Sequence, residues 1–326
     1  MRSHRVTNHS EAVRLFPGAF VVKTCVVISS LDRPEILHET VQSLQNQTIA
    51  PVTVILSLCD AASVLPETVQ LPLVRVVLGG RGLTKQRNHG AQAAPAETRY
   101  VLFLDDDTEL APEYLERMEG LLDQYPEIVV ASGVSAADGL RLGRALTRDQ
   151  AKAAARKYPC ESGTERAEGA YGCNMFVRKS ILEKVRFDEG LLLEGWLEDY
   201  DFSVRCSQFG SVVWNRGTCV AHLGVQRLAR EQGFPVGYSQ IANPYYLWRK
   251  QVIPSFGRLI FKFWLPALRV SIQGTLHGKP PWNVTFDYRG RLRGNVQALT
   301  DAARHKLAPS RIVAFTKDGQ GVANGT

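Results

Sequence analysis

YVLFLDDDTEL, residues Tyr100 to Leu110, sets an apolar strand directly against three consecutive carboxylates, Asp105, Asp106 and Asp107. Side chains alternate along an extended chain, so Asp105 and Asp107 can share one side while Asp106 points elsewhere. Adjacent carboxylates repel and are usually offset by a cation or by solvent. Hard oxygen ligands at a strand's carboxyl end suit Mg2+ or Mn2+ carrying phosphate oxygens, and that end is where open α/β sheets bind ligands. A solvated acidic turn is the plainer alternative.

The flanking pattern argues against the plainer alternative. Upstream, VVKTCVVIS (Val21 to Ser29), VTVILSL (Val52 to Leu58) and LVRVVL (Leu73 to Leu78) read as strands, with a helix expected from about Thr84 to Ala94. Asp32 and Glu35 have the spacing of a capping box ahead of Leu37, Val41 and Leu44 on one helical face. Downstream, Pro112 suits the first turn of a helix with Leu115, Met118 and Leu122 on one stripe, and VVAS (Val129 to Ser132) follows as a strand. Residues 138–172 are polar and Gly-rich, with a helix candidate near Ala151 to Lys157, and read as a mobile or ligand-facing excursion rather than core. NMFVR (Asn174 to Arg178) returns to strand. This alternation predicts an α/β fold, a mostly parallel, Rossmann-like sheet with helices on both faces.

A second acidic cluster, Glu198, Asp199 and Asp201 in GWLEDYDFSVR, stands where a helix begins. Acidic groups are stabilised there, which accounts for one or two of the three as caps. A carboxylate held at such a place is expected to stay ionised near neutral pH, as a general base for a sugar hydroxyl requires. Trp196 beside it can stack on a sugar ring or anchor the loop from within. His222 in VAHLG follows an apolar strand and is either packed or a metal ligand.

Four stretches in one order and spacing, VVISSLDRPEILHETVQSLQNQT, GLTKQRNHGAQAA, YVLFLDDDTELAPEYL and FDEGLLLEGWLEDYDFSVRCSQFGSVVWNRGTCVAHLG, resemble the family 2 inverting glycosyltransferases of GT-A fold over roughly residues 22 to 225. The resemblance implies that Asp105 and Asp107 hold the metal and the nucleotide diphosphate with Asp106 beside them. It implies that Asp199 is the catalytic base, that Glu198 positions the acceptor, and that His222 completes the metal shell. Ser29, Asp32 and Arg33 would fall at the nucleotide-facing end of the first strand, and Arg87 and Asn88 near the nucleotide sugar. Where the family commonly writes Asp-Asn-Gly-Ser for contact with uracil, this chain has SLCDAAS, and Asp60 or Ser57 would substitute. The implied cofactor is Mn2+ or Mg2+. The implied partners are a nucleotide-diphosphate sugar, UDP or dTDP foremost, and a glycan or lipid-linked acceptor in cell-surface polysaccharide synthesis.

The chain of 326 residues carries 39 basic and 32 acidic side chains, a net charge of +7, and the excess is uneven. Between Glu231 and Asp287 there is no carboxylate, while Arg249, Lys250, Arg258, Lys262, Arg269 and Lys279 fall there. The same window holds 11 of the 28 aromatic residues, so a separate job for it is expected. FGRLIFKFWLPALRVSI suits a helix lying in a membrane interface, with Arg258, Lys262 and Arg269 at anionic headgroups and Phe261, Phe263 and Trp264 inserted. It also fits a helix packed on the catalytic domain or in a homo-oligomer interface. No nucleic-acid-binding motif accompanies it.

The expected layout is a lead-in at 1–20, a GT-A domain at 21–225, a helical basic and aromatic extension at 226–317 with a last helix near Val296 to Leu307, and a tail at 318–326. The six cysteines form no CxxC pair and read as reduced core residues. No apolar stretch of signal-peptide or membrane-spanning length occurs, so the expected location is cytoplasmic, peripheral at the inner face of the plasma membrane. Two other readings compete. A sugar-nucleotide pyrophosphorylase would show a Gly-rich phosphate loop after the first strand, and SSLDRPE has no glycine. A membrane-docked scaffold without catalysis would not need both DDD and EDYD.

Overall fold

The computed structural model of the chain describes residues 23–225, 233–276 and 287–315. The expected lead-in, the tail and Lys279 lie outside the described residues. The strands are β1 Thr24–Ser29, β2 Thr53–Leu58, β3 Val74–Leu78, β4 Tyr100–Asp105, β5 Thr108–Leu110, β6 Ile128–Asp138, β7 Thr164–Arg166, β8 Asn174–Arg178 and β9 Ser211–His222. Between them run helices α1 Pro34–Ser43, α2 Pro66–Val69, α3 Leu83–Gln92, α4 Tyr114–Gln124, α5 Gly139–Leu142, α6 Arg148–Lys157, α7 Lys179–Leu182 and α8 Glu198–Cys206.

The nine strands among the described residues join one sheet in the order β3-β2-β1-β4-β8-β6-β9-β5, with β7 also on β9. The β3-β2-β1-β4 half is parallel, and β8 then pairs antiparallel with both β4 and β6. Strand β1 shows why the apolar runs are continuous rather than alternating. Val26 and Ile28 pack on one face with Leu37 and Val41 of α1 and Leu115 and Met118 of α4. Cys25 and Val27 pack on the other face with Phe187 and with Phe202 and Cys206 of α8. Both faces are covered, as a parallel sheet requires. The cysteines are all free thiols.

Several local expectations change. The capping box does not form: Arg33 is the N-cap of α1 without a side-chain cap, and Asp32 sits at φ +54°, a conformation that turns it away from the helix start. The strand expected to end at Ser132 continues to Asp138, because the small residues of GVSAA pair with β9. Helix α6 begins three residues earlier than expected, under a capping box formed by Thr147 and Gln150.

The C-terminal part holds α9 Gly233–Arg249, the short α10 Phe256–Arg258, a π-helical turn Leu259–Trp264, α11 Leu265–Leu276 and α12 Tyr288–Ala303. Helices α9 and α12 touch backbone to backbone: a Cβ on Gly237 would lie 1.9 Å from the Arg291 carbonyl oxygen, and one on Gly294 2.1 Å from that of Phe234. The last helix was expected from Val296, yet it starts at Tyr288 under the Asp287 cap, because the glycines that discourage a helix in sequence are its contact surface.

The cation face expected around residue 260 is also rearranged. Arg258 and Lys262 both pair with Glu168, and Phe263 turns in against Tyr200, ring centroids 5.7 Å apart. The Trp264 indole N–H donates to the Ile241 carbonyl at 3.0 Å. A carboxylate from the sheet domain therefore takes two of the three cations, and packing takes two of the three rings. No helix among the described residues is long and apolar enough to cross a membrane.

Candidate active site

The carboxyl ends of β1, β2 and β4 lie side by side, with Ser29 in register with both Ser57 and Asp105. The Ser29 and Ser57 hydroxyl oxygens are buried with no hydrogen-bond partner among the described residues. Asp32 and Asp60 meet at the same end: the Ser63 hydroxyl accepts from the Asp32 amide at 3.4 Å and donates to Asp60 Oδ1 at 3.0 Å. Asp60 also accepts from the Ser63 amide, so it caps the turn at residues 61–63.

After β4 the three aspartates part. Asp106 is fully buried, where its carboxylate accepts from Ser30 and pairs with Arg33. Burial lifts it to about 6 against the pull of Arg33. Asp106 thus ties the turn to the first loop, and Arg33, which pairs with it, also lies 3.6 Å from Asp107. Asp105 keeps 31% of its side chain exposed. Asp107 is buried, accepts from the Val225 amide at 2.9 Å, and faces His222 Nε2 at 3.1 Å.

His222 reaches this point because β9 ends beside β5 and β6, opposite Thr108 and Asp138. Its Nδ1 lies 3.3 Å from Asp138 Oδ1, and the Tyr171 hydroxyl donates to Asp138 Oδ2 at 2.7 Å. Burial works against a charged imidazole, yet Asp107 and Asp138 hold His222 up at about 10. Burial likewise pushes Asp107 upward, and His222 with Arg33 overrides it and holds Asp107 at about 2.

Ligand atoms of Asp105, Asp107 and His222 all lie within 4.8 Å of one another. Two carboxylates and an imidazole whose second nitrogen leans on a carboxylate match the donor set and outer shell of a divalent-cation site, so the residues fit Mn2+ or Mg2+. A cation taking Nε2 must expel the proton that His222 holds up to about 10. Mn2+ affinity measured by calorimetry is therefore expected to rise about tenfold per pH unit above pH 7, a slope that His222→Ala removes. Superimposable titrations of the two proteins would leave His222 as a packed residue.

Arg87 of α3 joins this cluster to the second acidic group. It is buried, and it donates to Glu198 Oε1 at 2.6 Å, to Asp105 Oδ1 at 3.0 Å and to the Gly172 carbonyl at 2.8 Å. The Gly172 amide donates to Asp199 Oδ2 at 3.1 Å, and the Tyr200 amide to Asp199 Oδ1 at 2.7 Å. A Cβ at position 172 would stand 2.9 Å from Glu198 Oε1 and 3.2 Å from Asp199 Oδ2, so any larger residue there displaces the two carboxyl groups. The turn before α8 is wound left-handed at Leu193, Gly195 and Leu197, an unfavourable backbone for leucine of the kind that concentrates at working sites.

One electrostatic expectation is reversed. Burial, helped by Asp199, drives Glu198 up to about 8 despite Arg87, so at neutral pH Glu198 holds a proton. Burial also raises Asp199 above the ordinary aspartate value, with the Tyr200 and Gly172 amides pulling the other way. Loss of solvent outweighs the helix N-terminus here.

Two expected site residues stand apart. The Asn88 amide donates to the Phe187 carbonyl and to Glu189, and Asn88 Oδ1 accepts from the Phe187 amide, so Asn88 clasps that loop. Trp196 has 47% of its surface exposed and only its carbonyl tied down, by Asn243 at 2.9 Å, which removes the buried-anchor alternative. Asp138, Tyr171 and Gly172 escaped the sequence reading. Extending the strand through VSAAD to its terminal aspartate would have found the first.

The fold is shared with a crystal structure of GalNAc-T7 with UDP, GalNAc and Mn2+, at a TM-score of 0.50 and 17% identity. The likeness covers 88% of this chain, which spans 59% of that one. No curated protein matches the chain by sequence. The family model described as glycosyl transferase family 2 matches residues 25–186. That match runs from β1 to just past α7 and takes in Arg87 of α3 and Asp105 of β4, and residues 25–186 of the chain form a glycosyl transferase family 2 domain.

Proposed function

We propose that the protein moves a sugar from a nucleotide-diphosphate sugar to a hydroxyl of a glycan or lipid-linked acceptor, inverting the anomeric carbon, in cell-surface polysaccharide synthesis. The observation that carries this is the Arg87 junction, which holds Asp105 of the cation cluster and Glu198 beside Asp199 within one hydrogen-bonded unit. UDP or dTDP is the favoured nucleotide, and the fold relative was crystallised with UDP and Mn2+.

Burial raises both neighbouring carboxyls, but only Asp199 has backbone amides pulling the other way, and this difference in surroundings suggests two roles. Glu198, protonated at neutral pH, donates a hydrogen bond that orients the acceptor. Asp199, held open by the Gly172 and Tyr200 amides, accepts the acceptor's hydroxyl proton. The acceptor oxygen forms its bond to the anomeric carbon as the bond to the diphosphate oxygen breaks, and the leaving nucleoside diphosphate takes that electron pair. A bound Mn2+ or Mg2+ would supply Lewis-acid stabilisation of the leaving charge, held by Asp105, Asp107 and His222. Ser29, Ser57, Asp32 and Asp60 border the same sheet end and suit the nucleoside, and the exposed Trp196 ring suits the acceptor sugar.

The test is a panel of UDP-, dTDP- and GDP-sugars with Mn2+, read by release of the nucleoside diphosphate and by NMR of the product anomer. Turnover of a UDP or dTDP donor with inversion is expected. Retention of configuration, or no turnover of any donor, would overturn the proposal.

A further inference from the structure

Helix α11 is packed inside out. Its buried side carries the small residues Ala267, Ser271 and Gly274, and Gly274 sits so near Tyr288 of α12 that a Cβ would come within 2.2 Å of the ring. Its large apolar side chains face outward. Leu276 is 72% exposed, Leu265 47% and Ile272 43%, and Phe261, one turn earlier, is 73% exposed. Spacings of four and seven residues place these four on one face. A helix that ends in water has the reverse arrangement, large apolar groups in and small or polar ones out.

Arg269 lies on the same exposed side, and the window from residue 232 to 286 has no carboxylate in sequence. An arginine among exposed apolar groups can lay its stem on them and send its guanidinium to anionic headgroups. We propose that this face, Phe261, Leu265, Ile272 and Leu276 with Arg269, docks the protein peripherally on an anionic lipid bilayer. Charge favours a bilayer over a second copy of the chain. Two such faces meeting about a twofold axis would bring Arg269 against Arg269 with no carboxylate of the window to offset it, whereas anionic headgroups supply the missing charge. The proposal stands independently of the reaction, since none of these residues belongs to the catalytic cluster.

Full-length protein is sedimented with vesicles of phosphatidylcholine, with and without phosphatidylglycerol, at low and high salt. Binding to the anionic vesicles is expected, weakened but not eliminated by salt, because apolar insertion survives screening. Combining Phe261→Ser, Leu265→Ser and Leu276→Ser is expected to weaken it about 100-fold. Arg269→Gln is expected to weaken it about fivefold on anionic vesicles alone. Circular dichroism and thermal unfolding check that both variants fold, and the single change decides the matter if the triple one does not. Absence of binding by the intact protein would overturn the proposal, as would undiminished binding by the triple variant. A solution dimer that the triple variant dissolves, without vesicle binding, would assign the face to contact between copies.

Discussion

Asp199→Asn is expected to lower transfer by about 100-fold or more, the scale on which a general base is lost, while donor affinity stays within a factor of about two. The amide keeps the volume of the carboxylate, so the α8 start is preserved. One of the two hydrogen bonds, from Gly172 or from Tyr200, is lost where an amide NH2 replaces an oxygen, which costs about 1 kcal/mol of stability. The separation of effects is the informative part, because in the proposed reaction Asp199 acts only when an acceptor proton has to leave. Equal losses in donor binding and in turnover would show that its work is to brace the loop at Gly172.

In the cation cluster, Asp107→Asn is expected to abolish Mn2+-dependent binding of a nucleoside diphosphate, a loss of at least about 100-fold given that outer-shell changes alone cost 10–100-fold. The asparagine can still accept from the Val225 amide through its carbonyl oxygen. The charge that faces His222 is gone, so the imidazole loses its strongest reason to hold a proton. Calorimetry with the nucleoside diphosphate in Mn2+ measures the loss, with thermal unfolding as the control for folding. Unchanged affinity would mean that the cation, if it binds, does so elsewhere.

The sheet and its loaded edge were legible because both rest on local patterns. Continuous apolar runs marked strands covered on both faces, and an abrupt DDD after YVLFL marked the end of one. The spacing of His222 placed it on a strand end, and β9 does deliver it to Asp107. What escaped depends on contacts between distant segments. The insertion of β8 between β4 and β6 has no sequence signature, and Asp138 gained a role only because β6 runs on beside β9. Helix-end logic assigned Glu198 a charge, and desolvation reversed it. The basic helix looked like a free cationic face until Glu168 proved to take Arg258 and Lys262. Glycines at 233, 237, 290 and 294 read as helix breakers in isolation and are instead where two helices meet.

The Arg87 junction also bears on how such an enzyme can be rebuilt. A single guanidinium hydrogen-bonds to Asp105 on one side and to Glu198 on the other, so in the proposed reaction the donor half and the acceptor half are not interchangeable parts. A graft that imports only the loop before α8, in the hope of a new acceptor, must present a carboxyl where Glu198 now meets Arg87. Otherwise it strands a buried cation and loosens Asp105 at the same stroke. Exchange between relatives is therefore expected to work in blocks that travel with α3, β4 and α8 together, and short loop swaps are expected to fail in donor binding before they change acceptor choice.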